Sequence, residues 1–317
     1  MNDSIPNRLM ALKDSLALGE ISKFQYADEL MAHHAFLFSY PDFLANTDVE
    51  EVRLTADGVT VRSRAHGISM YIDAVDLHTT AYALLNRGRY ERAETDFLKS
   101  VFHDGDIFID VGANRGWFSL ILAEQSPGGR VFAFEPIPST FQGLKDNVEL
   151  NDLKNIEPIC MGMFDRADEL NFLFAKDASG ATSLKLAGQS RGHAKLQEIT
   201  CPTTTLDAFC TSRNLIPSLI KVDIEGAELM VAQGGREILA HTPILLMELL
   251  RKWAREFDYH PNDVFALLEA YGYEAWVFSL ENPGKLERCY RMTEETVQTN
   301  FIFLHPDRHA AVIEKWI

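Results

Sequence analysis

From Asp106 onward the chain alternates short apolar runs with helical ones, and this alternation limits the fold more than any other feature. The runs IFIDVG, RVFAFEP, IEPICMGMF, LIKVDIEG, PILLMEL, YEAWVFSL and NFIFLHP read as strands, with a further β-rich stretch at LNFLFAK. Helical patterns occupy 115–125, 137–151, 227–240 and 261–271 between them. Strands separated by helices of this length are βαβ units, and they predict a mainly parallel, doubly wound α/β sheet.

Upstream the pattern differs. Residues 5 to about 45 carry apolar positions at helical period (Leu9, Leu12, Leu16, Phe24, Leu30, Met31), which predicts one or two amphipathic helices broken by Pro41. Asp57-Gly58 lies between two β-type runs and predicts a hairpin. A helix is expected from about Thr79 to Phe102, closed by Gly105. The expected organisation is an extension over 1–75, made of helices and a β-hairpin, followed by one large domain over 76–317.

A length of 317 residues with 46% hydrophobic content is enough to bury a full core. No window approaches 18 uninterrupted apolar residues, and MNDSIPNRLM lacks the apolar segment of a secretory signal, so a cytoplasmic protein with no membrane span is expected. The formal charge of −16 disfavours a nucleic-acid partner, because phosphate binding needs a basic field. Lys185, Arg191, His193 and Lys195 form the best local basic stretch, for which a solvated loop is the simpler account. The four cysteines (Cys160, Cys201, Cys210, Cys289) show no CxxC spacing and read as small hydrophobes.

In an open α/β sheet the ligand sits beyond the carboxyl ends of the strands. The residues there are Asp110 to Gly116, Glu135-Pro136, Gly162 to Asp165, Asp223 to Glu228, and Glu248. Gly112 and Gly116 permit a turn closed to other residues and a close approach of ligand to backbone. Their spacing does not match the dinucleotide fingerprint G-x-G-x-x-G, and Asp110 before them suits a cationic or ammonium-bearing ligand better than a pyrophosphate. Glu135, ending the next strand, can accept both hydroxyls of a ribose, which fits NAD as well as S-adenosylmethionine; it can equally serve as a favourable charge at a helix start.

Taken together, FIDVGANRGWFS, FAFEPIPSTFQGLKDNVELN, TTLDAF, LIKVDIEGAELMVAQGG and LLMEL resemble the FkbM family of S-adenosylmethionine-dependent methyltransferases. GRYERAETDFLKSVFHDGD also resembles that family's approach to its first strand, and the likeness spans roughly residues 88 to 305. It implies a Rossmann-like, doubly wound, mainly parallel seven-stranded sheet with an antiparallel C-terminal strand. It implies S-adenosylmethionine as cofactor, with Asp110, Gly112, Ala113, Asn114 and Gly116 around its methionine part and Glu135 with Pro136 at the ribose. Gly162, Met163 and Asp165 would flank the adenine, although CMGMFD departs from the shorter, more polar turn expected there.

Asp223, Glu225 and Glu248 would then lie beside the reactive methyl. Methyl transfer to a hydroxyl is an in-line displacement that also removes one proton, so a carboxylate there is a candidate base. Asp223 is the first choice, Glu225 the second and Glu248 the third, while Lys221 and Glu228 are expected to pair with neighbouring charges. Acidic residues after a strand also cap helices, which is the plainer account of Glu225 and Glu228. Asp223, Glu225 and Glu228 are near enough in sequence to hold a divalent cation, but no further ligand set accompanies them and no metal is expected.

The acceptor-side candidates are Thr182 and Ser183, in the small-residue segment ASGATSL, and His260 in the loop after the fifth strand. The expected activity is O-methyl transfer to a hydroxyl of a sugar, glycan or secondary metabolite. One alternative is an NAD-dependent oxidoreductase, which calls for the missing glycine fingerprint and a Tyr-x-x-x-Lys set; Tyr271 and Tyr273 have no lysine four residues on. The other is a non-catalytic Rossmann-like interaction protein, against which the retained Asp110, Glu135 and Asp223 set speaks. The N-terminal extension has two expected uses, covering the acceptor pocket and pairing subunits in a homodimer.

Overall fold

The computed structural model describes residues 5–76, 78–175, 183–184 and 196–317, which fall into two compact units, Met1–Thr47 and Asp48–Ile317. The first unit holds α1 (Ile5–Ala17) and α2 (Lys23–Leu44). Ser22 starts α2 through a reciprocal capping box: its hydroxyl accepts from the Gln25 N–H at 3.2 Å and its own N–H donates to Gln25 Oε1 at 2.9 Å. Pro41 does not end this helix as expected. It sits in the last turn, where its missing N–H removes one intrahelical bond while its carbonyl still accepts from Ala45 at 3.1 Å. Among the described residues, no helix is long and apolar enough to cross a membrane.

The second unit opens with β1 (Val49–Thr55), β2 (Gly58–Ser63) and β3 (Ser69–Tyr71), an antiparallel three-stranded sheet whose first turn is the Asp57-Gly58 hairpin. Then come α3 (Thr80–Arg87) and α4 (Arg92–Val101), where one continuous helix was expected. Gly88 takes φ +69 as the left-handed cap of α3, and Glu91 at φ +33 turns the chain again before α4. This interruption carries Tyr90 and Glu91 to the site described below.

The large sheet is built from β4 (Ile107–Val111), α5 (Trp117–Gln125), β5 (Arg130–Phe134), α6 (Pro138–Leu150) and β6 (Ile156–Ile159). A second, four-stranded sheet follows, made of β7 (Gly162–Met163), β8 (Glu169–Ala175), β9 (Ser183–Leu184) and β10 (Leu196–Thr204), in the order β7-β10-β8-β9. After α7 (Leu206–Arg213) the chain returns to the large sheet with β11 (Leu219–Val222), α8 (Glu228–Gln233), α9 (Arg236–Leu239) and β12 (Ile244–Glu248). It closes with α10 (Arg251–Ala254), α11 (Pro261–Glu269), β13 (Glu274–Phe278), β14 (Leu286–Arg288), β15 (Asn300–Leu304) and α12 (Ala310–Trp316).

The strand order is β14-β13-β15-β12-β11-β4-β5-β6. The run from β6 to β12 is parallel throughout, and β15 lies antiparallel between β12 and β13. The doubly wound sheet with its antiparallel C-terminal strand is therefore present, and β14, three residues long, adds an eighth strand beyond the expected seven. The parallel strands β4, β5, β11 and β12 are buried along nearly their whole length, which is why they read as unbroken apolar runs. Ile109, Phe132, Ile220, Leu245 and Phe301 form the centre of the core.

The helix expected over 227–240 is two short ones, because Gly234 and Gly235 pass close to neighbouring atoms. A Cβ on Gly234 would stand 2.4 Å from the Phe164 carbonyl oxygen, and one on Gly235 would stand 2.6 Å from Leu206.

Asn147 of α6 and Asn151, the residue that caps it, bind β3 as a neighbouring strand would. Asn151 accepts from the Ser69 N–H and donates to the Ser69 carbonyl, both at 2.7 Å. Asn147, 1% exposed, accepts from the Tyr71 N–H at 2.9 Å and donates to the Arg115 carbonyl at 2.9 Å. Arg115 itself pairs with Asp73 at 2.7 Å. Asn147→Ala should lower the unfolding free energy by about 2–4 kcal/mol, since it leaves two partly buried backbone groups unpaired. Urea denaturation reads this directly, and an unshifted midpoint would show that β3 is held by other contacts.

Candidate functional site

The carboxyl ends of β4, β5, β11 and β12 converge on a cavity of about 240 Å³. Its wall includes Gly112, Ala113, Asn114, Glu135, Pro136, Asp223, Glu225 and Glu248 from the expected set. It also includes Tyr90, Glu91, Trp117, Phe118, Phe172 and Lys221.

The glycine turn is shaped by backbone packing. Gly112 takes φ +83, and a Cβ there would meet the Asp223 carbonyl oxygen at 2.0 Å, so β4 and β11 approach each other at a separation only glycine allows. The Gly112 and Ala113 N–H groups both donate to the Phe134 carbonyl, at 3.0 and 2.8 Å. Asn114 takes φ +50, a left-handed conformation that asparagine tolerates. Gly116, at φ +92, starts α5 and lies against Leu144 of α6, where a Cβ would come within 2.6 Å.

Asp110 lines no part of this cavity wall and is 1% exposed. Its Oδ2 accepts from the Ser119 hydroxyl at 2.7 Å, and its Oδ1 lies 3.9 Å from Lys221 Nζ with no hydrogen-bond partner. Burial pushes its carboxyl above the usual range, against the pull of Lys221 and Ser119. A buried carboxylate oxygen with spare acceptor capacity fits the ammonium end of an amino-acid ligand.

Glu135, 5% exposed, is held on both oxygens: Oε2 accepts from the Asn114 N–H at 3.2 Å and Oε1 from the Ile137 N–H at 3.0 Å. Burial pushes it up to about 7, only partly offset by the Ile137 and Asn114 N–H groups. Each oxygen keeps a second lone pair for a ligand hydroxyl. Together the Asp110 and Glu135 environments fit S-adenosylmethionine.

Asp223 and Glu248 form one hydrogen-bonded pair. Lys221 Nζ lies 3.0 Å from Asp223 Oδ2, and Lys221 is itself 5% exposed, with its ammonium 5.2 Å from the Phe118 ring centre. Burial alone would raise the Asp223 carboxyl, but Lys221 and the Glu248 hydrogen bond hold it below the usual range. Burial and the Asp223 charge push Glu248 up to about 10, so Glu248 carries the proton and Asp223 the charge. Glu91 is pushed up to about 7 by burial and by Asp223, and its carboxyl accepts from the Tyr90 hydroxyl.

Apart from Glu225, the remaining described candidates lie outside this cavity. Glu225 lines the cavity at φ +57, and the following Gly226 is pressed against the Trp253 carbonyl. Glu228 turns away: it accepts from the Gly226 N–H and from the Tyr259 hydroxyl, both at 2.9 Å. Gly162 and Met163 line a small adjoining cavity of about 20 Å³ with Gly112, Pro136, Phe172 and Ile224. Asp165 lies in neither cavity and pairs with Arg166 at 3.0 Å. His260 also lies in neither; its Nδ1 accepts from the Asn262 N–H at 3.1 Å and caps α11. Ser183 belongs to β9, in register with Leu173, while Thr182 and the basic stretch from Lys185 to Lys195 lie outside the described residues. Among the described residues, no three His, Cys, Asp or Glu side chains converge as a metal-ligand set.

Residues 110–275 match the methyltransferase FkbM domain. The chain is 29% identical over 153 residues to Methyltransferase 1 of Beauveria bassiana, covering 42% of this chain and 59% of that protein. It is 26% identical over 181 residues to the hexuronic acid methyltransferase AglP of Haloferax volcanii, covering 56% and 68% of the two chains. It is 26% identical over 153 residues to the 2-O-methyltransferase NoeI of Sinorhizobium fredii, covering 45% and 62%. The chain thus spans less than two thirds of the length of the first of these relatives.

The buried carboxyls make stability pH-dependent in an unusual direction. Burial pushes Glu228 from its ordinary 4.5 up to about 7, so the folded protein keeps a proton that the unfolded chain has lost. This contribution is complete below about pH 4.5 and disappears as pH rises through about 7. Glu228→Gln should therefore lose less stability than the parent between pH 5 and 8, the gap changing by up to about 1.4 kcal/mol per pH unit. Denaturant unfolding at several pH values measures it; a variant parallel to the parent throughout would place the proton elsewhere.

Proposed function

Because the chain belongs to the FkbM methyltransferase family, we propose that it transfers a methyl group from S-adenosylmethionine to a hydroxyl of a sugar, glycan or secondary metabolite. The observation that carries this reading is the meeting of a ribose-type carboxylate, Glu135, and an ionised carboxylate, Asp223, on one glycine-bounded cavity. Relatives named as a hexuronic acid methyltransferase and a 2-O-methyltransferase support a sugar hydroxyl as acceptor.

When bound, the cofactor supplies a methyl group made electrophilic by its sulfonium. The turn from Gly112 to Gly116 holds the methionine part, and the Asp110 carboxyl, buried off the cavity wall, adds negative potential toward its ammonium end. Glu135 accepts the two ribose hydroxyls, beside Pro136, while Gly162 and Met163 border the adenine side. Trp117, Phe118 and Phe172 keep water from the cavity wall. Asp223 accepts the hydroxyl proton of the acceptor as that oxygen becomes nucleophilic, and Lys221 keeps Asp223 ionised for this task. Glu248, holding its own proton, fixes the Asp223 carboxylate by hydrogen bonding.

Two measurements test this. Glu135→Ala should weaken S-adenosylhomocysteine binding roughly 10- to 100-fold in calorimetry at pH 8, where the parent carboxylate is ionised. An unchanged affinity removes Glu135 from the site, and absence of binding by the parent protein refutes the reading as a whole. Asp223→Asn should retain that affinity within about tenfold yet lower turnover roughly 10²-fold or more, followed as S-adenosylhomocysteine release over a panel of sugar hydroxyl acceptors. If Asp223→Asn keeps full turnover while Glu91→Gln loses it, the proton goes to Glu91.

A further inference from the structure

A second cavity, of about 830 Å³, lies against the turn between α3 and α4. Arg87, Arg89, Tyr90, Glu91, Arg92 and Asp96 line it from one side, with Pro283 and Gly284 from the loop between β13 and β14. Tyr90 and Glu91 also line the cofactor-side cavity, so this pair of residues is the wall common to both. β13 runs in the same direction as β12, since each is antiparallel to β15, so the loop carrying Pro283 follows the same ends of the sheet on which the cofactor cavity opens. A second substrate is expected at this edge of an open α/β sheet.

The charge of this cavity runs against that of the molecule. The chain carries −16, yet three arginines fall within six residues here. Arg92 is met by Asp96 at 3.6 Å, whereas Arg87 and Arg89 are exposed and form no ion pair among the described residues. The two acids of the lining both have partners, Asp96 in Arg92 and Glu91 in the Tyr90 hydroxyl. Arg92 is the first residue of α4, where the helix dipole disfavours a cation, whereas Arg87 lies in the last turn of α3, where a cation is favoured; helix stability therefore accounts for neither Arg89 nor Arg92. Guanidinium groups without carboxylate partners are suited to bind carboxylate or phosphate in a forked geometry.

The geometry points to an acceptor that bears an anionic group, a carboxylate or a phosphate, held in this cavity by Arg87 and Arg89, with the hydroxyl to be methylated directed past Tyr90 and Glu91. This assignment rests on the methyl-transfer reading and narrows its substrate class. A neutral acceptor gains nothing from these arginines.

The test is calorimetric titration of the full chain, saturated with S-adenosylhomocysteine, with glucuronate, glucose 1-phosphate and glucose. We expect glucuronate or glucose 1-phosphate to bind at least roughly tenfold tighter than glucose, and the stronger of the two to identify carboxylate or phosphate as the anion. The double variant R87A/R89A should lose that preference, and R87K/R89K should recover part of it. S-Adenosylhomocysteine binding by each variant verifies that it is folded. Equal binding of all three probes, no binding of either anion, or an anion preference that survives in R87A/R89A overturns the assignment. Failure of the parent protein to bind S-adenosylhomocysteine is a different result, and it counts against methyl transfer itself.

Discussion

The buried ammonium of Lys221 allows the acidic floor of the cavity to exist. It stands in the middle of the sheet, in register with Asp110 on the neighbouring strand and on the same face as Asp223 two residues later. Alone, a buried ammonium costs several kcal/mol, and so does each buried carboxylate. Together they offset one another: Lys221 is held charged by Asp223, Asp110 and Glu91 in spite of burial, and it lowers the charge density that these acids would otherwise share. The aromatic face of Phe118 supports the same cation from the helix side. With this pairing in place, the two carboxyls at the ends of β11 and β12 divide into one ionised and one protonated group.

Much of this site was legible because strand ends are legible. Alternating apolar and helical runs locate where each strand stops, and a doubly wound sheet sends those stops to one edge. Gly112, Glu135, Asp223 and Glu248 therefore converge although they are far apart in sequence. The reason for glycine at position 112 is sharper in three dimensions, since it is the carbonyl of Asp223 on the adjoining strand that forbids a Cβ. Lys221 was legible only as a charge with some nearby partner. Which partner depends on the register of β4 and β11, and their pairing crosses more than half the large sheet's length of chain.

Other parts were hidden for a different reason. Tyr90 and Glu91 sit inside a stretch whose periodicity reads as one helix, and the break depends on left-handed backbone at Gly88 and Glu91. A glutamate in that conformation carries no sequence signature. Likewise Asn147 and Asn151 fall in a stretch legible only as helix, while their amides serve as the neighbour of an edge strand. Asp165 and His260 have local partners that their sequence positions do not announce: an adjacent arginine for one and the start of its own helix for the other.

The strained turn at Glu91 links these observations. Left-handed backbone at a residue other than glycine costs on the order of 1 kcal/mol or more, and it persists only where the surroundings fix it. Here the Tyr90 ring packs edge-on against Trp117, 5.6 Å between centres, and the Trp117 indole donates to Thr95 of α4 at 3.1 Å. Thr95 also holds the Glu91 carbonyl at 2.7 Å through its hydroxyl. The first residue of α5, directly after the glycine turn, is thereby tied to the turn that separates the two cavities. Trp117 follows the glycine turn directly and packs on Tyr90, so the turn and the Tyr90-Glu91 segment share one contact. The acidic floor built around Lys221 and the arginine-lined cavity beyond Glu91 are thus joined by one short chain of packed and hydrogen-bonded side chains.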